Sequence, residues 1–332
     1  MGNIKSKEKK IHIEYGDYGI LFALIGFWII LAITNADFRG LGFYQNILTR
    51  ASLNAICGVG MTFAIISSDL DLSVASQVAV NGVVITLLLP VTGMIPAILL
   101  VLLLGAVMGL LNGLLIAKLK IPAFIATLGT QMAYRAAAQL INSQPVVVAD
   151  STFKKLATLK LAGILPLAFV IMAVLAVIGT VILRKTRLGR NILAVGNSKE
   201  AAKIAGINVD YTQIMIYVLV GIFTACASVM IVSNLGSSNY GMQTGLEFTV
   251  ISAVVLGGTA LSGGKGSIFT TVVAAVFLVT IRSAMDSFGV DSYWQKVVEG
   301  IILVIAFSIT QIRSMIATAV VKRKTRKAML SR

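Results

Sequence analysis

Long apolar segments separated by short polar ones fill nearly the whole of this chain. As an α-helix, about 20 apolar residues cross the roughly 30 Å of hydrocarbon in a bilayer. We predict ten spans: 18–35, 48–66, 74–90, 95–117, 122–141, 164–183, 213–233, 248–262, 268–286 and 293–313. The eighth is the shortest and is interrupted by glycines. The pattern predicts an all-α integral membrane protein.

The composition agrees with this class. Of 332 residues, 57% are hydrophobic and 12% are charged, and the mean hydropathy is +0.92, whereas soluble domains carry about 25% charged residues. Cys57 and Cys226 are the only cysteines, and His12 is the only histidine. These counts argue against a disulfide framework, a cysteine or histidine metal site and histidine catalysis, so we expect no bound cofactor.

Positive charge is concentrated on one side of the predicted membrane. If both termini and the segments 67–73, 118–121, 184–212 and 263–267 are cytoplasmic, that side carries 20 of the 28 lysines and arginines, counting Arg313 at the end of the last predicted span. The other side carries 7, counting Arg50, Arg282 and Lys296 near span ends, and Arg135 falls inside a predicted span. The positive-inside rule therefore predicts ten spans with both termini in the cytoplasm. Because the basic blocks account for the net charge of +15, we expect no nucleic-acid partner.

The polar segments are too short to form a soluble domain. We predict a single transmembrane domain over 1–332, with cytoplasmic tails at 1–17 and 314–332 and a longer cytoplasmic segment at 184–212. Without an ATP-binding domain, the energy for transport must come from an ion gradient or from a partner. This architecture favours moving a small solute across the bilayer rather than covalent chemistry.

The segment 197–207 is predicted to form a short capped helix. Asn197 suits the N-cap, and Glu200 three residues later completes a capping-box pattern. Gly206 suits the left-handed residue that follows a helix end.

One face of this short helix is apolar, because Ala201, Ile204 and Ala205 follow i, i+3, i+4 spacing. Isolated helices of this length are marginal in water, so the helix needs a surface to dock on. It is either a connector on the membrane surface or a coupling helix that inserts into a cytoplasmic partner.

The segment 67–73 carries two carboxylates, Asp69 and Asp71, among otherwise basic cytoplasmic segments. Carboxylates are favourable near a helix N-terminus, so these residues could cap the following helix. Two alternatives remain. One is a D-x-D metal site of a glycosyltransferase, although no catalytic domain accompanies it; the other is a cation pathway.

The segment 257–267 is as rich in glycine as a phosphate-binding loop, but it does not match the motif of such a loop. That motif ends in Gly-Lys followed by Ser or Thr, whereas Gly266 follows Lys265 here. We predict instead that its glycines break the eighth span, as in discontinuous transporter helices. The residues assigned this structural role are Gly257, Gly258, Gly263 and Gly264.

Gly105, Gly109 and Gly113 form two overlapping G-x-x-x-G steps in the fourth predicted span. Small residues at this spacing allow helices to approach closely. The close packing lies either within the chain or between subunits.

Polar side chains inside spans are candidates for a solute path, since they are expensive to bury in lipid. Each such residue is more often a hydrogen-bond partner between helices than a solute contact. The candidates inside spans are Asn54, Gln77, Asn81, Asn112, Gln131 and Arg135, with Glu247 at the outer start of the eighth span.

Four stretches, in order along nearly the whole chain, carry a resemblance to a known family. They are 60–67 with 71–74, 111–113 with 120–129, 186–190 through 196–207, and 255–259 with 261–266. They resemble the patterns G-M-T-x-V-I-x-x-G-G-I-D-L-S-V-G, N-G…I-P-x-F-I-x-T-L-G, T-x-x-G-R…A-x-G-x-N-x-x-A-A-x-x-x-G-I and V-x-G-G-T-x-x-x-G-G-x-G. The chain resembles the permease subunits of ribose-type bacterial ABC importers, which include xylose, galactose and autoinducer-2 permeases. Ser68 and Asp69 depart from the pattern, which has two glycines there, as do Leu70 for isoleucine and Ala75 for glycine.

The resemblance implies a pore for a monosaccharide in the bacterial inner membrane, in a ten-span bundle of the vitamin-B12-importer type. Two permeases, identical or related, would form it among membrane lipids. A separate ATPase subunit with two nucleotide domains would dock on the short helix, and an extracytoplasmic sugar-binding protein would deliver the solute. The implied ATPase-coupling residues are Asn197, Glu200, Ala201, Ala202, Gly206 and Ile207. Ala202→Arg is then expected to abolish docking while leaving the chain folded.

The competing hypothesis is a secondary transporter driven by an ion gradient. Such a protein needs acidic residues in the middle of its spans. Asp69, Asp71 and Glu247 all lie near predicted span ends, which favours the ATP-driven alternative.

Overall fold

The computed structural model describes residues 19–34 and 36–308. Thirteen α-helices lie in this part of the chain: α1 Gly19–Thr34, α2 Leu41–Ile66, α3 Val74–Thr92, α4 Met94–Ala117, α5 Ala123–Ile141, α6 Ser151–Thr158, α7 Leu167–Lys185, α8 Arg187–Asn197, α9 Lys199–Ile204, α10 Val209–Leu235, α11 Leu246–Leu256, α12 Ile268–Ser287 and α13 292–308. A short 3-10 helix, Ala36–Arg39, precedes α2. The predicted all-α class is confirmed.

Each of the ten predicted spans coincides with a helix, namely α1–α5, α7 and α10–α13. Six helices of the described residues are long and apolar enough to cross a membrane: α2, α3, α4, α7, α10 and α12. α1 and α11 are shorter apolar helices. The predicted tails 1–17 and 314–332, and the end of the last predicted span, lie outside the described residues. The chain is a multi-pass membrane protein.

The eighth predicted span is shorter than expected, because α11 ends at Leu256 rather than near 262. Gly258 has φ +87. The Gly258 amide donates to the carbonyl of Val255 at 2.9 Å, and the Thr259 amide donates to that of Val254 at 3.2 Å. This pair of bonds is a Schellman motif, which terminates a helix at a left-handed residue and favours glycine there.

Helix α10 forms the centre of the bundle and packs along α2, α3 and α4. The glycines of α4 lie against it. A Cβ at Gly105 would lie 2.5 Å from the carbonyl oxygen of Gly221, and one at Gly109 would overlap that of Tyr217. Of the two possibilities open for the G-x-x-x-G steps, the structure therefore shows packing within the chain.

The loops gather at two ends of the bundle. One, which we call the α9 end, holds 67–73, 118–122, α8, α9 and 257–267, joined by contacts such as Lys199 to Asp69 and Ser68 to Ser262. The opposite end holds two antiparallel strand pairs. β1 (Val146–Val147) pairs with β4 (Ser237–Ser238), and β2 (Lys160–Leu161) pairs with β3 (Leu165–Pro166).

Candidate functional site

Helix α9 begins one residue later than predicted. The Ser198 hydroxyl caps it by accepting from the amide of Ala201 at 3.1 Å. Asn197 is instead the last residue of α8, and its side-chain amide donates to the carbonyl of Leu193 at 2.8 Å. The assignment of Asn197 as the N-cap was wrong, because its side chain is already used within the preceding helix.

Glu200 is the second residue of α9, so the predicted capping box is also wrong. Its carboxylate accepts from the Ser198 hydroxyl at 3.1 Å. Its own backbone N–H and the Ser198 hydroxyl hold the pKa of this exposed carboxyl below its usual value. Glu200 is therefore ionised at the N-terminus of α9, where a negative charge is favourable.

The other end of α9 has the geometry predicted for Gly206, which adopts φ +80. The Gly206 amide donates to the carbonyl of Lys203, and the Ile207 amide to that of Ala202, both at 3.0 Å. This Schellman motif and the Ser198 cap satisfy orphan backbone groups at both ends. They allow a helix of only six residues to persist outside the bundle.

The apolar face of α9 points away from the protein. Ile204 is 89% exposed, and Ala201 and Ala205 are exposed, whereas Ala202 is only 3% exposed. Ile204 therefore forms a small exposed apolar face together with Ala201 and Ala205. The expectation that Ala202→Arg would leave the chain folded is wrong, because Ala202 is packed inside the protein.

A cavity of about 880 Å³ lies beside α9 and the start of α10. Three lysines and three acids line it: Lys120, Lys199, Lys203, Asp69, Glu200 and Asp210. Asp210 accepts from both Lys118 and Lys120, which ties the 118–122 segment to α10. The cavity is therefore a cleft at the α9 end whose positive and negative side chains are equal in number.

The two carboxylates of the 67–73 segment have different partners. Asp71 accepts from the backbone amide of Ser73 at 2.8 Å, just before α3 begins. Asp69 instead accepts from Lys199 at 3.2 Å and from Gln213 at 3.0 Å. The prediction that these aspartates cap α3 is wrong, because the N-cap residue is Ser73 and no side chain caps the helix. Asp71 bonds the amide of Ser73 itself, and Asp69 joins this segment to α9 and α10.

Asp71 is the centre of a buried polar node, which we define as Asp71, Ser73, Gln77, Asn112 and Tyr134. The Ser73 hydroxyl donates to Asp71 at 2.6 Å and accepts from Gln77 and Asn112, each at 2.8 Å. Tyr134 donates to the Asn112 side-chain oxygen at 3.4 Å. Burial raises the pKa of Asp71, and hydrogen bonds from Ser73, Asn112 and Gln77 oppose that rise. The node joins α3, α4 and α5.

Asn112→Leu should destabilise the protein, because it removes the donor that α4 contributes to this node and leaves one oxygen of the buried Asp71 with only a 3.5 Å contact from Gln77. We expect the free energy of unfolding to fall by about 1–3 kcal/mol, measured by thermal unfolding in detergent. Gln139→Leu is the matched control, since Gln139 is an exposed amide on α5. Unfolding of Asn112→Leu at the wild-type temperature would contradict the role of the node.

Two further candidates for a solute path lie deeper in the bundle. Asn81 is fully buried, and its side-chain amide has no hydrogen-bond partner among the described residues. Glu247 is 3% exposed and accepts from Gln131 at 2.8 Å. Arg135 donates to the carbonyls of Tyr240 and Met242 at 2.7 and 2.9 Å. Gln131 and Arg135 thus hydrogen-bond α5 to the segment 240–247.

Asn54 stands apart from these residues and lines a second cavity, of about 460 Å³, between α2, α11, α12 and α13. Thr249 and Ser252 line it too, one helical turn apart on α11. Arg282, which contacts Glu299 at 3.4 Å, also lines the cavity. Neither Asn54 nor Thr249 uses its side chain in a hydrogen bond within the described part of the chain. We name this space the Asn54 cavity.

Sequence reasoning missed several of these residues: Ser73, Tyr134, Lys199, Gln213, Thr249 and Ser252. The i, i+3 spacing of Thr249 and Ser252 was the signal available for the Asn54 cavity.

Within residues 19–34 and 36–308, no group of three or more His, Cys, Asp or Glu side chains is placed to bind a metal ion.

The chain is similar to known proteins over most of its length. The family described as "Branched-chain amino acid transport system / permease component" matches residues 43–307. The ribose import permease protein of Haemophilus influenzae is 33% identical over 293 residues, which cover 86% of this chain and 90% of that protein. The ribose import permease protein of Bacillus subtilis is 33% identical over 313 residues, covering 91% and 96%.

The galactose/methyl galactoside import permease protein of Escherichia coli is 32% identical over 320 residues, covering 90% of this chain and 94% of that protein. No solved structure matches the chain. The match of the family over most of the chain, together with these relatives, shows that the chain belongs to the family of branched-chain amino acid transport system permease components.

Proposed function

We propose that the chain is the membrane-spanning permease subunit of an ATP-driven importer of a monosaccharide, ribose or a similar sugar. The observation that carries the proposal is α9, an ordered helix capped at both ends that exposes Ile204 outside the bundle. Relatives named as ribose and galactose import permeases support the choice of substrate. The chain acts as a transport subunit rather than an enzyme, and the proposal assigns it no cofactor.

The proposal places the chain in the inner membrane as one domain of ten spans, with both termini in the cytoplasm and a bundle of the vitamin-B12-importer type. The ten helices that coincide with predicted spans support this number. The α9 end then faces the cytoplasm, as the distribution of lysine and arginine requires.

Three protein partners follow. An ATPase subunit with two nucleotide domains docks on α9 through the face made by Ala201, Ile204 and Ala205, which is exposed. A sugar-binding protein docks at the opposite end, and a second permease, identical or related, completes the pore. Glu200, Gly206 and Ile207 hold α9 in shape for docking, whereas Asn197 and the buried Ala202 support it from the bundle side.

The solute path within the proposal begins at the Asn54 cavity. Its volume of about 460 Å³ falls in the range of roughly 300–1,000 Å³ that is typical of small-molecule sites. The free amide of Asn54 and the hydroxyls of Thr249 and Ser252 offer both donors and acceptors to sugar hydroxyls. Asn81 and Glu247 are the buried candidates further along, and Gln77 and Asn112 serve chiefly as partners of Asp71.

Reconstitution into proteoliposomes tests this function. The purified chain is inserted with and without its ATPase subunit, and uptake of labelled D-ribose and D-galactose is followed in the presence of the binding protein. We expect uptake only when the ATPase and ATP are both present. Uptake by the chain alone, driven by a proton or sodium gradient, would establish a secondary transporter instead.

Thr249→Val tests the Asn54 cavity as part of the path. The substitution keeps the volume of the side chain and removes its hydroxyl, so the maximal rate of sugar uptake should fall roughly two- to tenfold. Thr92→Val at the end of α3 is the control, because the Thr92 hydroxyl bonds only backbone carbonyls nearby. An unchanged rate for Thr249→Val would remove this cavity from the path.

A further inference from the structure

The 67–73 segment is clamped at the α9 end by backbone contacts from two sides. The Ser68 hydroxyl donates to the carbonyl of Ser262 at 2.8 Å and to that of Gly196 at 3.3 Å. The Gly264 amide donates to the carbonyl of Ile66 at 2.8 Å. These bonds hold the segment between the end of α8 and the glycine-rich segment 257–267.

Asp69 adds a side-chain contact to α9 itself. Its side chain is only 8% exposed, and each carboxylate oxygen has its own donor. One oxygen accepts from Lys199, the first residue of α9, at 3.2 Å, and the other accepts from Gln213 of α10 at 3.0 Å. Because the carboxylate is withdrawn from water, its contact with Lys199 is screened less than a surface ion pair would be.

The same short segment leads directly to the buried polar node. Asp71, two residues after Asp69, is hydrogen-bonded to Ser73 at the start of α3 and to Asn112 of α4. The carbonyl of Leu70, between the two aspartates, accepts from Tyr217 of α10 and from Thr127 of α5. Polar contacts therefore run without a gap from the first residue of α9 to α3, α4 and α5.

We propose that Asp69 is a positioning residue for transport, which through Lys199 ties the docking helix α9 to the buried polar node. The inference rests on the proposed function, in which α9 receives the motion of the ATPase. With the contact in place, a displacement of α9 moves the 67–73 segment and α3 with it. Without the contact, α9 can turn about its junction with α8 at Asn197 and Ser198, and part of the motion is lost.

Loss of the contact should weaken the coupling between ATP hydrolysis and transport rather than prevent transport, because the Ser68 and Gly264 contacts still hold the 67–73 segment. A structural role alone would lower the stability of the permease without changing how many sugar molecules move for each ATP hydrolysed.

A double-mutant cycle on the reconstituted complex tests the proposal, with the ratio of D-ribose taken up to ATP hydrolysed as the readout. Asp69→Asn removes the charge and keeps the shape of the side chain, and Lys199→Met removes the partner at a half-exposed site. We expect each variant to lower the ratio about fivefold or more. The double variant should be no worse than the more impaired single variant, because both remove one contact.

Lys118→Met is the matched control. It breaks a lysine–aspartate contact at the same end of the bundle, with Asp210 at 3.5 Å, that does not involve α9. Its ratio should stay within about twofold of wild type, as expected for an exposed pair. An unchanged ratio in Asp69→Asn and Lys199→Met, or additive losses in the double variant, would overturn the inference.

Loss of ATPase co-purification in Lys199→Met would overturn the inference, because Lys199 would then belong to the docking surface. A wild-type complex without ATP-dependent uptake would instead refute the proposed function, and this result is distinct from a failure of the Asp69 contact alone.

Discussion

Ile204→Asp is expected to abolish binding of the ATPase subunit, and sugar uptake with it. Ile204 is 89% exposed, so it contributes little to the folding of the permease alone. In the docked state its side chain is the largest apolar group on the exposed face of α9. Loss of a central apolar anchor costs about 2–4 kcal/mol of binding, and burying a carboxylate in its place adds to that penalty.

The measurement is co-purification of the ATPase with the permease in detergent, followed by uptake in proteoliposomes. Ile164→Asp is the matched control, since Ile164 is 60% exposed at the opposite end of the bundle. It should retain ATPase binding. Wild-type co-purification by Ile204→Asp would show that α9 is a connector on the membrane surface, and a lower unfolding temperature of the variant permease alone would show that Ile204 is structural.

The sequence predicted α9 but placed its cap one residue early, and the reason is local. Asn197 and Ser198 are both good capping residues, so their order alone does not decide where a helix starts. The surroundings of Gly196 decide it. A Cβ at Gly196 would overlap the carbonyl of Ile66 and lie 2.7 Å from the amide nitrogen of Gly264. This close approach holds the end of α8 against the bundle and leaves Ser198 as the first residue free to cap.

The ten apolar helices could be predicted because hydropathy specifies them directly. α8 was missed, since the segment 184–212 is polar on average. The apolar residues Ile192 and Val195 lie on one face of α8 and are buried, at 0 and 1% exposure. α6 was also missed, although Asp150 caps it by accepting from the amides of Thr152 and Phe153. Amphipathic helices need periodicity rather than mean hydropathy to be seen.

The hydrogen-bond partners of the polar residues inside spans could not be predicted from the sequence. Gln77 and Asn112 were candidates for a solute path or for bonds between helices, and they come from different helices that meet at Ser73. Nothing in the spacing of 77 and 112 along the chain indicates this meeting. The same holds for Asp69, whose partner Lys199 is distant in sequence and adjacent only in the fold.

Gly109→Val is expected to prevent folding of the bundle. A Cβ at this position would overlap the backbone carbonyl of Tyr217 on α10, and no side-chain rotation can relieve a clash with backbone. The neighbouring positions are also tightly packed, since a Cβ at Gly113 would lie 2.8 Å from the Cα of Ile214. Overpacking of this kind lowers the free energy of unfolding by about 1–3 kcal/mol or more. Here it separates α4 from α10, the helix at the centre of the bundle.

The fraction of protein that elutes as a single species in size-exclusion chromatography measures this loss. Gly109→Ala should already lower the unfolding temperature, because the Cβ alone makes the clash, and valine should lower it further. Gly26→Val on α1 is the matched control, since among the described residues no atom lies within 4 Å of a Cβ at Gly26. If Gly109 served a contact between subunits instead, Gly109→Ala would separate the subunits and leave each one as stable as wild type. The packing of α4 on α10 requires the opposite result, a permease that loses its own fold before any assembly is possible.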